Sequence, residues 1–315
     1  MKILFIDKTH PALKQRLEQM GFSCHFFNGT AIEELYKVLK EGFDGIIVRS
    51  KFKIDKSIID KSADLRFIAR VGAGMEGIDE AYAASRNIVC FNAPEGNRTA
   101  VGEHTTAMIL NLLHKISVAD NQVKKGIRLR EANRGVELCG KTIGIIGYGN
   151  MGGAFAKCIS GFGAHVIAYD KYKKEYTDDY VRESSMAELF EKSDIVSLHV
   201  PLTQETFYMA DKSFFNRFKK NIILVNTARG QVVCTQDLVN ALKSGKVIAT
   251  ALDVIEYESA SFEKLEKSTH DVFDFLCRSD KVLMTPHVAG WTVESHEKMA
   301  LVIAEKIQEW LKNNN

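Results

Sequence analysis

The sequence predicts an α/β protein of two doubly wound parallel-sheet domains, one inserted into the other. Three observations carry this reading. Short apolar runs alternate with helix-length amphipathic stretches along the chain. A glycine-rich turn, Gly147-Tyr148-Gly149-Asn150-Met151-Gly152, lies mid-chain with about 140 residues before it, enough for a domain of their own. After it come Arg229, Glu258 and His287, reactive side chains each at or near the end of an apolar run.

The elements follow in order. Residues 2–6 read as a buried strand. Residues 11–20 read as a helix, with Leu13, Leu17 and Met20 on one face and Gly21 as its stop. Residues 22–27 form the next strand and 32–39 the next helix, with Gly42 beyond it. Strands at 45–48, 66–71 and 88–91 extend this β-α-β-α series, for which a parallel sheet covered on both faces is the economical fold. Residues 99–118 predict one long helix whose Met108, Ile109, Leu110, Leu112, Leu113 and Ile116 cover more than one face. Such a helix must be widely buried, and contact with a second copy of the chain, a homodimer, is the expected cover.

A second series begins at Thr142. Six parallel strands are expected, at 142–146, 165–169, 195–199, 222–226, 248–252 and 282–284. Helices fall between most of them, for example at 186–191 and 235–244. Six such strands make a complete nucleotide-binding sheet. Residues 292–311, with Met299, Leu301, Val302, Ile303, Ile307 and Leu311, form a last amphipathic helix that returns to the first domain. The expected division is 1–98 with 288–315, and 99–287 as the insert. An active site is expected in the cleft of this arrangement.

Composition narrows the function. The chain has 315 residues, 45% apolar and 26% charged, an ordinary soluble globular balance. A net charge of +2 offers no strong field for nucleic acid or an anionic membrane, so neither is an expected partner. The cysteines, Cys24, Cys90, Cys139, Cys158, Cys234 and Cys277, are scattered, with no C-x-x-C and no metal-ligand spacing. They read as reduced, mostly buried thiols of a cytoplasmic protein without a metal site. The apolar run Ile3–Ile6 ends at Asp7, too short for a signal peptide, and no run approaches membrane-spanning length.

A lone G-x-G-x-x-G is weak evidence. Here it follows an apolar strand and opens a helix, the context in which it has a mechanism. Gly147 makes the tight turn, Gly149 admits a pyrophosphate to the backbone, and Gly152 lets helix and sheet pack closely. Asp170 closes the next strand, 18 residues past Gly152. A carboxylate there accepts bonds from adenosine ribose hydroxyls and repels a 2′-phosphate, which favours NAD as cofactor. Lys171, Lys173 and Lys174 soften that preference.

The strand-end segments Arg70-Val-Gly72-Ala73-Gly74, Asn92-Ala-Pro94, His199-Val200-Pro201-Leu-Thr203, Asn226-Thr227-Ala-Arg229-Gly230, Ala251-Leu-Asp253-Val254 and Pro286-His287-Val-Ala-Gly290 resemble, with the fingerprint, the D-isomer-specific 2-hydroxyacid dehydrogenase family over nearly the whole chain. The resemblance implies a Rossmann NAD-binding domain inserted into a flavodoxin-like substrate domain. It implies a small 2-hydroxy or 2-oxo acid as substrate and Arg229, Glu258 and His287 as the catalytic trio. His287 would exchange the proton, as suits a ring titrating near neutrality. Glu258 would orient the imidazole, and Arg229 would offer a planar fork to the substrate carboxylate. Asn150, Met151, Val200, Pro201, Thr206, Thr227 and Gly290 fall at cofactor-lining positions, with Asp253 on the nicotinamide carboxamide side.

Gly72, Ala73 and Gly74 would grip the substrate carboxylate through backbone N–H groups. Arg49 and Arg70 match basic positions of the family's D-3-phosphoglycerate dehydrogenase branch and could bind a phosphate. Departures are Glu76-Gly77 after the glycine turn, Ser259 after the catalytic glutamate, and a long 259–286 segment that reads as a lid or an extra helix. Glyoxylate, hydroxypyruvate, D-lactate or erythronate 4-phosphate are alternative acids, and a non-enzymatic NAD-sensing corepressor is the alternative class. With so short a tail, no C-terminal regulatory domain is expected. Glu256 is read as a solvated neighbour of Glu258, His199 as a cofactor-loop residue, and His104 and His114 as structural.

Overall fold

The computed structural model describes residues 1–258 and 270–314. The chain divides into two compact units, Met1–Asn97 with Trp291–Asn315, and Arg98–Gly290.

The first unit holds β1 (Lys2–Phe5), α1 (Pro11–Gln19), β2 (Ser23–Phe26), α2 (Ile32–Leu39), β3 (Gly45–Val48), α3 (Lys56–Asp60), β4 (Phe67–Arg70), α4 (Glu80–Ser85) and β5 (Val89–Phe91). Its sheet runs β2-β1-β3-β4-β5 with every pairing parallel, the flavodoxin-like order. Successive strand residues point to opposite faces, and this period builds two cores. Leu4, Ile46, Val48 and Ile68 pack with Leu35, Ile58 and Ile59 on one face. Ile3, Phe5, Ile47, Phe67 and Ala69 pack on the other with Leu13 and Leu17 of α1 and with Met299, Ile303 and Ile307 of the C-terminal helix Val293–Asn314.

The second unit contains most of α5 (Pro94–His114), then α6 (Ile116–Lys124), β6 (Thr142–Ile146), α7 (Asn150–Ile159), β7 (His165–Tyr169), β8 (Arg182–Glu183), α8 (Met186–Lys192), β9 (Ile195–Leu198), α9 (Lys212–Arg217), β10 (Ile222–Asn226), α10 (Thr235–Ser244), β11 (Val247–Leu252), α11 (His270–Arg278) and β12 (Val282–Met284). Its sheet runs β12-β11-β10-β9-β6-β7-β8, all parallel. Counted from β6, this is the Rossmann order extended by one strand. The six expected strands therefore lack the third of the sheet, β8, and include its seventh, β12. β8 is only Arg-Glu, paired with Ile167 and Ala168, and has no apolar run to announce it.

The single helix expected at 99–118 is two. α5 ends at His114, Lys115 takes a left-handed φ of 52°, and α6 begins at Ile116. Met108, Ile109 and Leu113 are buried within their own unit, against Ile143, Ile145, Phe155 and Ile159. The wide burial of α5 therefore requires no second copy. In this part of the chain the large apolar side chains left exposed belong to α6 and the loop after it: Ile116, Val123, Ile127, Leu129 and Val136. In the long 259–286 segment an extra helix is present as α11, with Leu276 buried against the sheet and Phe275 beside it. Residues 259–269 of that segment lie outside the described residues. All six cysteines are free and none is fully buried, contrary to expectation; Cys139 and Cys277 are exposed. Among the described residues no helix is long and apolar enough to cross a membrane. Nor does any group of three or more His, Cys, Asp or Glu stand ready to hold a metal.

Candidate active site

The glycine turn connects β6 to α7. Gly147 adopts φ 94°, and a side chain there would lie 2.5 Å from the His199 carbonyl. A side chain at Gly152 would collide with the Gly147 carbonyl, whereas Gly149 opens onto unfilled space. One glycine therefore serves the backbone angle, one the packing, and one leaves room at the start of α7, whose unpaired N–H groups favour an anion.

Asp170 follows β7. Its Oδ1 accepts from the N–H of Tyr172 (2.9 Å) and Lys173 (3.0 Å), and Oδ2 from that of Tyr148 (2.8 Å). Burial pushes its carboxyl up, but these backbone donors and the Lys173 charge outweigh it and hold the group below its usual range. Oδ2 keeps capacity for one more donor, as a ribose hydroxyl requires. Lys171 pairs with Glu205 at 2.7 Å, and Lys173 donates to the Tyr148 carbonyl at 2.8 Å. These residues fit a dinucleotide. Around them, Asn150 is exposed, and Met151, Val200 and Gly290 are half-buried. Thr206 fastens the turn after exposed Pro201, donating to the Pro201 carbonyl at 2.6 Å and accepting from the Thr203 N–H at 2.8 Å. Thr105 gives its hydroxyl proton to the Val101 carbonyl, so Thr227 is the donor in their 3.2 Å contact.

The trio sits on three strand exits of this sheet. Asn226, fully buried at the end of β10, accepts from the Ala228 N–H and donates to the Arg229 carbonyl, which fixes the turn that carries Arg229. Arg229 Nη1 donates to the Ala228 carbonyl at 2.7 Å. A side chain at Gly230 would collide with the Ile255 carbonyl, so this turn and the segment after β11 meet backbone to backbone. On that segment Glu258 Oε1 accepts from the Ile255 N–H at 2.9 Å, and Oε2 lies 2.9 Å from His287 Nδ1. His287, beyond β12, takes a left-handed φ of 55°. Its N–H is held by the carbonyls of Asp253 (2.8 Å) and Thr285 (3.0 Å).

Asp253 is buried and builds this loop. Its carboxylate accepts from the Val288 and Ala289 N–H groups at 2.9 Å each and from the Thr285 hydroxyl at 2.5 Å. Glu256 is no solvated neighbour. It is half-buried, accepts from the Tyr208 hydroxyl, and takes the Thr235 N–H at 3.0 Å. His199 Nε2 lies 2.8 Å from Ser197 Oγ, and its Nδ1 is buried without a partner among the described residues. Burial pushes this ring down to about 3, so it stays neutral. Sequence reasoning missed Asn226 and Glu256 as supports. It also missed the reach of His104, whose Nε2 lies 3.1 Å from Thr285 Oγ1.

The first unit carries the expected anion turn after β4. The Gly72 N–H is taken by the Arg70 carbonyl, so it is not a ligand donor as expected. The carbonyls of the turn are held from behind, Gly72 by the Ala93 N–H, Ala73 by Asn92 and Gly74 by Arg70. Among the described residues the Ala73 and Gly74 N–H groups have no protein acceptor. Arg70 also donates to the Arg49 carbonyl at 3.1 Å, so it clamps the turn. Arg49 stacks over Trp291 at 4.3 Å, near His296 and His10, whose rings meet at 5.6 Å. Burial lowers the Arg49 pKa, and Asp7 partly restores it; burial, Arg49 and His10 together lower that of His296. Asp7 itself accepts three successive N–H groups, those of Arg49, Ser50 and Lys51.

Residues 106–289 match the model of the D-isomer specific 2-hydroxyacid dehydrogenase, NAD binding domain. The chain belongs to this family. Among its relatives, a D-3-phosphoglycerate dehydrogenase of Archaeoglobus fulgidus is 35% identical over 314 residues, 99% of this chain but 58% of that one. A hydroxypyruvate reductase of Thermotoga maritima is 36% identical over 302 residues, 96% of this chain and 94% of that one. A D-lactate dehydrogenase structure from Aquifex aeolicus, in complex with NAD and lactic acid, matches with a TM-score of 0.83 at 28% identity, over 99% of this chain and 96% of that one. The chain thus spans little more than half the length of the phosphoglycerate dehydrogenase it matches.

Proposed function

We propose that this chain is an NAD-dependent oxidoreductase that interconverts a D-2-hydroxy acid and its 2-oxo acid. The 2.9 Å Glu258–His287 contact, in the unit that carries the dinucleotide turn, is the observation behind this reading. With Nδ1 held by the carboxylate, proton exchange with the acid falls to Nε2. In oxidation Nε2 takes the hydroxyl proton, and Glu258 stabilises the imidazolium so formed. In reduction Nε2 returns that proton to the oxo oxygen. Arg229 polarises the oxo group and offers two parallel donors to the carboxylate. On the first unit, the Ala73 and Gly74 N–H groups, without a protein acceptor among the described residues, are the anion donors we propose. NAD, when bound, supplies or accepts the hydride; the protein holds its pyrophosphate at Gly149 and α7 and its ribose at Asp170.

The acid we favour carries a second anion, such as the phosphate of 3-phosphoglycerate, a reading supported by the Arg49 guanidinium stacked over Trp291 beside the rings of His10 and His296 and by the Archaeoglobus fulgidus relative. Hydroxypyruvate or glyoxylate is the second reading, supported by the Thermotoga maritima relative that matches nearly end to end. We further propose a homodimer joined through α6 and residues 126–136, and a reducing, cytoplasmic location supported by six free thiols.

NADH oxidation with a panel of phosphorylated and unphosphorylated 2-oxo acids tests both levels. Turnover should depend on His287, with His287→Ala lowering kcat by about 10³-fold or more while NADH affinity changes less than about twofold. No turnover across the panel would sink the enzyme reading. Preference for unphosphorylated acids would replace the substrate guess.

A further inference from the structure

The loop that presents His287 is anchored at its far end by a second histidine, His104 on α5. A proton count fixes how. Thr285 Oγ1 lies 2.5 Å from Asp253 Oδ1 and 3.1 Å from His104 Nε2. A hydroxyl has one proton, and a carboxylate can only accept. Thr285 must therefore donate to Asp253 and accept from His104, so Nε2 of His104 carries the hydrogen. His104 Nε2 also lies 3.6 Å from Asp253 Oδ1. The rest of Asp253 is bound to the loop. Its carboxylate takes the Val288 and Ala289 N–H groups, and its main-chain carbonyl takes that of His287. His287 meanwhile holds a left-handed backbone, strained for a non-glycine residue, that persists only where its surroundings enforce it.

We propose that His104 is a positioning residue for His287, acting through the Thr285 hydroxyl and the Asp253 carboxylate. It orients the one hydroxyl that completes the Asp253 shell, and Asp253 sets the backbone angle that aims the imidazole. This rests on the dehydrogenase reading for its kinetic consequence, but not for its geometry.

The test compares His104→Leu, which has no donor, with His104→Gln, whose carboxamide can replace the Nε2–H. His104→Leu should lower kcat about tenfold and leave KM for NADH within about twofold, because aim rather than cofactor binding is lost. His104→Gln should recover most of the lost kcat. An unchanged kcat in His104→Leu overturns the proposal. So does a glutamine variant as slow as the leucine one, or a loss shared equally by KM and kcat. ¹⁵N-histidine spectra of the wild-type chain without cofactor, with the His104 signal assigned by its absence from His104→Gln, should show the Nε2–H tautomer. An Nδ1–H signature overturns the proposal whether or not any acid is turned over. A wild type that shows the Nε2–H tautomer but reduces no acid sinks the dehydrogenase reading alone.

Discussion

His199 and His287 place the same ring on two strand exits of one sheet, and surroundings separate their chemistry. His287 touches a carboxylate, while His199 is enclosed, its ring tilted against Phe155 at 5.4 Å, with one nitrogen unpartnered among the described residues. The folded pKa of His199, about 3, lies below its ordinary 6.5. Between those values the unfolded chain binds the proton and the folded one does not. The stability linked to neutral His199 is therefore fully present above pH 6.5 and is lost as pH falls towards 3, at about 1.4 kcal/mol per pH unit for this group alone. Urea unfolding of wild type and His199→Asn at about pH 7 and 5 checks this. The variant should lose about 2 kcal/mol less over that interval, and parallel losses would refute the account. Glu256 was misjudged from sequence, and the partner of His104, read as structural, was not foreseen, for one reason. Their partners, Thr235 and Thr285, are 21 and 181 residues away. No local pattern encodes a contact of that kind.

At the scale of elements, the glycine turn separates two tasks that a motif merges. Gly152→Ala drives a methyl group into the Gly147 carbonyl and should destabilise the unit by about 1–3 kcal/mol, read as a lower melting temperature. Gly149→Ala meets nothing in the protein and should leave the melting temperature within about one degree, yet weaken NADH binding at least about tenfold by filling the place of a phosphate oxygen. Equal effects of the two substitutions on stability would contradict this division. Elements buried on both faces announced themselves in the sequence: β3, β9 and β10 are buried throughout and read as mainly apolar runs, interrupted only by Ser197 in β9 and closed by Asn226 in β10. β8 did not, since a two-residue edge strand of Arg and Glu has no core to fill. Nor did the break at Lys115, where a left-handed residue interrupts a helical pattern without glycine or proline.

For the whole molecule, the proposed dimer makes a direct prediction. Ile116 and Val123 are each more than half exposed, and Ile127, Leu129 and Val136 extend this apolar surface. Sedimentation at micromolar concentration should give twice the chain's mass, and Ile116→Asp with Val123→Asp should return it to one chain with its circular dichroism intact. A wild type that sediments as a single chain overturns the dimer. Two parallel sheets were legible because helix and strand periods alternate so regularly, whereas the flavodoxin-like order of the first was implied by the family resemblance alone. The burial of α5 was legible as well, but its cause was not: hydrophobicity shows that a face must be covered, not what covers it.

The backbone contact at Gly230 has an evolutionary consequence. Arg229 and Glu258 sit on segments so closely joined that neither can drift alone, and Asp253 ties the His287 loop to the same block. Selection must therefore move the three reacting side chains together or leave them in place. A laboratory search for active variants should find few productive changes near Gly230.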